Sequence, residues 1–150
     1  MGQTTSDTAG QGSNPSGNVE EWKEKPLLYI SGPMTSEGHP YNNIHNAVVI
    51  ASLATKLGWA VQIPHLNALA EMITGDKDTI NILDNDFNLL SRCDAVLVLP
   101  YTKEINDRGE KAGVAQELDL AESLDIPVYT VLTLPNGRDF DAMYFVTENN

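Results

Sequence analysis

The sequence predicts an α/β fold: one doubly wound, mostly parallel sheet of four to five strands, flavodoxin-like or Rossmann-like, with helices on both faces. Three observations lead to it. Short apolar runs at residues 27–31, 60–63, 95–99 and 126–130 are rich in leucine and β-branched residues, and the first three end directly at Gly32, Pro64 and Pro100. The segments between these runs carry apolar residues at helical spacing. Strand and helix therefore alternate, and parallel neighbours need right-handed crossovers that place the helices on the sheet faces.

Residues 1–22 are rich in Gly, Ser, Thr, Asn and Gln without apolar periodicity, and are expected to form a disordered tail. Trp22 is either packed on the domain edge or a loose anchor. Residues 23–150 form the domain, and a chain of 150 residues buries roughly two thirds of its unfolded surface. The first strand, 27–31, is central. A helix follows, capped by Asn42 or Asn43 and stopped at Gly58, with Ile44, Ala47, Val48, Ala51, Ala54 and Leu57 as its stripe. Residues 60–63 give a second strand ending at Pro64-His65. Residues 66–73 make a short helix closed by Gly75. A longer one starts near Asp78 and buries Ile80, Leu83, Phe87 and Leu90. The third strand ends at Pro100, and a polar loop leads to a helix with Val114, Leu118, Ala121 and Leu124 on one face. After the fourth strand, the chain turns at Pro135-Asn-Gly137. Residues 139–144 then form a short amphipathic tail that docks on the domain or on a second subunit.

Composition narrows the function. Asp and Glu number 21 against 9 Lys and Arg, a net charge of −12, which disfavours a nucleic-acid polymer as partner. Cys93 is the single cysteine, so no intramolecular disulfide forms, and its place before a strand marks it as a small core residue. No stretch reaches the ~20 apolar residues of a membrane span and no signal peptide is evident, so the protein is expected to be cytoplasmic. Dinucleotide and P-loop glycine patterns are absent, and His39, His45 and His65 are not spaced as a metal pair. Neither a cofactor nor a metal is expected.

Carboxylates around a cleft remain. With strand order 2-1-3-4, the sheet reverses between the first and third strands, and ligands bind there, outside the carboxyl ends. Residues 29–34, 100–113 and the helix bearing Glu117 converge on that point. Gly113 opens the helix and Glu117 follows four residues later, near the positive end of the helix dipole, which favours its ionised form. Asp86 lies on the flank of its helix, with Asp84 as a competing candidate. Paired carboxyl groups suit cleavage of a glycosidic bond, one attacking the anomeric carbon while the other handles the proton.

Four segments taken together, Tyr29-Ile-Ser-Gly-Pro-Met34, Asn85-Asp-Phe-Asn88, Cys93-Asp-Ala-Val-Leu-Val-Leu99 and Gly113-Val-Ala-Gln-Glu117, resemble the successive motifs of the nucleoside 2-deoxyribosyltransferase superfamily. That family includes transferases, deoxynucleoside 5'-monophosphate N-hydrolases and a phage and bacterial subgroup. The resemblance implies that Glu117 is the nucleophile, that Tyr29 holds it, and that Asp86 contacts the base and passes it a proton. It further implies that Ser31, Gly32, Pro33, Met34 and Gly113 meet the substrate. Asp141-Ala-Met143 resembles the family's C-terminal Asn-x-Met segment, which a neighbouring subunit contributes, so a homodimer or higher homo-oligomer is expected. Lys103, Arg108 and Lys111 concentrate three of the nine cations in one loop and are expected to receive a substrate phosphate. The implied partner is a small-molecule nucleoside or nucleotide. The competing readings are a non-catalytic nucleotide-binding module and an oligomeric scaffold.

Overall fold

The structure is a computed structural model that describes residues 19–75, 82–106, 109–131 and 145–149. Its elements run α1 (Val19–Glu24), β1 (Leu27–Ser31), α2 (Pro40–Lys56), β2 (Ala60–Gln62), α3 (His65–Thr74), α4 (Ile82–Leu90), β3 (Ala95–Val98), α5 (Gly113–Ser123), β4 (Val128–Val131) and β5 (Phe145–Asn149). The sheet has the order β2-β1-β3-β4-β5. The first four strands are parallel, in the expected order, and β5 pairs antiparallel with β4. The expectation of a mostly parallel doubly wound sheet is met, and the reversal between β1 and β3 falls where it was placed.

The pleat of β1 divides the interior. Leu28 and Ile30 point to one face, where they pack with Ala47, Ile50, Ala51 and Ala54 of α2. Tyr29 points to the other, into a core with Leu90, Cys93, Val96, Val98, Val114 and Ala121. The parallel strands β1 and β3 are buried on both faces, which is why they read as continuous apolar runs rather than alternating ones.

Several local expectations need correction. Residues 19–24 form a short helix that straddles the end of the expected tail, with acidic Glu20 and Glu21 in its first turn and Lys23 in its last, and Trp22 is exposed. Helix α2 is capped by neither Asn42 nor Asn43. His39 takes that place, its Nδ1 accepting from the Tyr41 N–H at 3.2 Å, with Pro40 opening the helix. The buried stripe of α2 is also rotated from the expected one, because Ile50 and Leu53 go inward while Val48 and Leu57 are exposed. Leu124, expected on the core face of α5, is its exposed C-cap. The sequence reading assigned no element to residues 145–149, which form β5. The start of the fourth helix near Asp78, the turn at 135–137 and the tail at 139–144 lie outside the described residues.

The β3–α5 loop has its own order. Ile105 and Lys111 form an antiparallel bridge, and the Ala112 N–H donates to the Glu104 carbonyl at 2.7 Å. Gly109 sits at φ +78°, a left-handed conformation that glycine adopts without strain.

Candidate active site

A cavity of about 400 Å³ opens beside the carboxyl end of β1, at the reversal of strand order. It is lined by Gly32, Pro33 and Met34 after β1, by His65 and Ala68 of α3, by Asp86 of α4, and by Gly113, Val114 and Glu117 of α5. That volume lies in the range of small-molecule sites.

Glu117 is 6% exposed and is held from the strand opposite. The Tyr29 hydroxyl donates to its Oε2, and the Ser31 hydroxyl donates to its Oε1 at 2.7 Å. Tyr29 and Ser31 are two residues apart on one strand and so project from the same face. The expectation that the helix dipole keeps Glu117 ionised requires correction: burial dominates and pushes its carboxyl up to about 7. The two hydroxyl donors oppose that rise by favouring the anion, and the nearby Asp86 charge adds to it. Burial and the adjacent Glu117 push the Tyr29 phenol far above its ordinary value, so it stays a proton donor.

Asp86 is 7% exposed, whereas Asp84 is exposed, which settles which of the two faces the cavity. Its contact with the Asn67 amide is long, from Nδ2 to Oδ1 at 3.4 Å. Burial raises its carboxyl to about 6, opposed only by that amide. Asp86 therefore holds a proton at a pH where an ordinary aspartate would not.

His65, one of the three histidines not spaced as a metal pair, is 3% exposed on the cavity wall. Among the described residues neither ring nitrogen has a hydrogen-bond partner of acceptable geometry. The nearby backbone of Gly32 and Pro33 slightly favours the charged ring, but burial outweighs it and holds the imidazole below its ordinary value, hence neutral. An orphaned buried imidazole is costly unless something in the cavity meets it. The signal in the sequence was its position directly after a strand-ending proline. Asn67 carried no such signal.

Gly32 permits a close approach: a Cβ there would lie 3.2 Å from the Leu99 Cβ and 3.5 Å from His65 Nε2. Of the loop cations, Lys111 pairs with Asp119 on the exposed side of α5 and does not line the cavity. The Lys103 N–H donates to Glu37 at 2.8 Å. Arg108, Asp141 and Met143 lie outside the described residues. Cys93 is buried, its thiol pushed up to about 11 by burial and Asp94. Among the described residues no group of three or more His, Cys, Asp or Glu side chains is arranged to hold a metal ion. No helix among them is long and apolar enough to cross a membrane.

No family model and no curated protein matches the chain. Among solved structures, it is similar to a 2-deoxyribosyltransferase from the psychrotolerant bacterium Bacillus psychrosaccharolyticus, at TM-score 0.51 and 19% identity, covering 73% of this chain and 77% of that one. A 2-deoxyribosyltransferase from Leishmania mexicana matches at TM-score 0.48 and 23% identity, covering 73% and 67%. The first of these likenesses supports the fold.

Proposed function

We propose that this protein cleaves the N-glycosidic bond of a deoxynucleoside or its 5'-monophosphate, with Glu117 as nucleophile and the sugar passing to water or to another base. The observation that carries the reading is a buried carboxyl held by two hydroxyls at the wall of a nucleoside-sized cavity, with a second, more loosely held carboxylic acid on the same wall. The sequence motifs quoted above and the 2-deoxyribosyltransferase with which the chain shares its fold point the same way.

In this reading, a carboxylate oxygen of ionised Glu117 bonds to the anomeric carbon while the bond from that carbon to the base nitrogen breaks. Tyr29 and Ser31 fix the attacking group. The departing base takes its electron pair and accepts a proton from Asp86, whose raised value suits an acid working near neutrality. The sugar ester then reacts with water or with an incoming base, Asp86 recovers a proton from that nucleophile, and Glu117 is released. Gly32, Pro33, Met34 and Gly113 shape the sugar side of the cavity. The neutral His65 imidazole offers the substrate one donor and one acceptor. Asp141 and Met143 of a second subunit would close the 5' end, which makes the working unit a homo-oligomer.

The test is incubation with a panel of nucleosides and 5'-monophosphates, with and without an acceptor base, scored for free base by chromatography. Release of base that depends on Glu117 supports the proposal. A panel that binds without any base release would leave a nucleotide-binding module, the competing function that the same cavity could serve.

A further inference from the structure

We infer that Glu37 is a positioning residue that anchors the β1–α2 loop, a wall of the cavity, to the β3–α5 loop and so sets the ligand affinity of the site. This inference rests on the function proposed above.

The β1–α2 loop supplies a wall of the cavity through Gly32, Pro33, Met34, Thr35 and Ser36. Glu37 follows directly, and its carboxylate turns away from its own loop toward the start of the β3–α5 loop. It accepts from the Thr102 N–H at 2.8 Å, from the Thr102 hydroxyl at 2.8 Å and from the Lys103 N–H at 2.8 Å. These donors lie 65 and 66 residues along the chain. A carboxylate that accepts consecutive backbone N–H groups is a strong, geometrically specific anchor, because each bond is charge-assisted. Its own end is fixed as well: Asn43 Nδ2 of α2 donates to the Met34 carbonyl at 3.0 Å and the Glu37 carbonyl at 2.8 Å. Gly38 at φ +70° lets the chain turn there into the helix. The wall between Met34 and Glu37 is thus tied to α2 on one side and to the start of the β3–α5 loop on the other.

Tyr29 and Ser31, which hold Glu117, lie upstream on β1, and the Leu99 N–H donates to the Ser31 carbonyl at 2.8 Å independently of Glu37. Loss of the clamp should loosen the ligand-facing wall while the nucleophile stays in place, which separates binding from chemistry.

The experiment is steady-state cleavage of a deoxynucleoside by the full chain and by Glu37→Ala, Glu37→Gln and Thr102→Val, each first checked by thermal melting. Glu37→Ala is expected to raise KM about tenfold with kcat within about twofold, and Thr102→Val, which keeps both backbone donors, to raise KM about twofold to threefold. Glu37→Gln, which keeps one acceptor oxygen, should fall between them. Unchanged KM in a folded Glu37→Ala protein, or a drop in kcat at constant KM, overturns the inference. Should Glu37→Ala not fold, the other two variants decide by the same criterion. If the wild-type protein binds a deoxynucleoside by calorimetry without cleaving it, the proposed reaction fails, and the same tenfold change read in Kd tests the clamp. A wild-type protein that binds none overturns both.

Discussion

Glu117 and Asp86 are buried to nearly the same degree, 6% and 7% exposed, on one cavity, but the protein wires them differently. Glu117 faces a rigid strand that aims two hydroxyls at its two oxygens. Asp86 stands on a helix flank with one long amide contact. Burial is the largest cause raising both groups, the Asp86 charge adds to the rise at Glu117, and what distinguishes the two sites is the number of donors that oppose it. A fixed, donor-rich carboxylate suits attack at a defined carbon. A less constrained acid suits leaving bases of more than one shape.

The comparison breaks most visibly at Glu117. Glu117→Gln should reduce turnover by about 10⁴-fold or more while leaving ligand affinity within a few-fold, measured by base release and calorimetry. Retention of a tenth of wild-type turnover would remove the distinction. Asp86→Asn should cost about 10²- to 10³-fold with ordinary bases and far less with a leaving group that departs as a stable anion. Equal losses for both leaving groups would mean that Asp86 does not deliver the proton.

Tyr29→Phe should cost about tenfold and sharpen the contrast through pH. In the proposed reaction Glu117 is ionised and Asp86 protonated, so with values of about 7 and about 6 the active form declines on the acid side below about 6 and on the alkaline side above about 7. The pair gives a narrow bell in kcat/KM centred between those values, with apparent constants that belong to both groups. Removing the Tyr29 donor destabilises the Glu117 anion and should move the alkaline limb to higher pH.

The smallest effect is on stability. Because folding raises the Glu117 carboxyl from 4.5 to about 7, its contribution is fully present below pH 4.5 and is lost as pH rises through 7. Denaturant titrations of the ligand-free protein should show a decline of at most about 3 kcal/mol over that window, flattened in Glu117→Gln.

Much of this architecture was legible because buried parallel strands and amphipathic crossovers leave distinct periods in the chain. The convergence of Tyr29 and Glu117 could be anticipated from their motifs and from the single glycine opening α5. The protonation of Glu117 could not, since it depends on how completely other segments exclude water. The phase of the α2 stripe was ambiguous for a simpler reason: apolar residues from Ala47 to Leu57 occupy more than one face, and only docking on β1 selects Ile50 and Leu53. The solitary state of the His65 ring and the reach of Glu37 to Thr102 arise between segments far apart in sequence, where no periodicity carries information. The short, polar β5 depends on an open edge of β4 rather than on its own pattern.

Pairing of Leu28 with Ala95 and Ser31 with Val98 decides more than sheet geometry. A slip of one residue along β3 would keep the backbone bonds yet turn Tyr29 and Ser31 toward α2, presenting Leu28 and Ile30 to the acid instead. Such a molecule would be assembled but, under the proposed function, inert, so base release would directly assay whether the central strand has zipped in the correct frame.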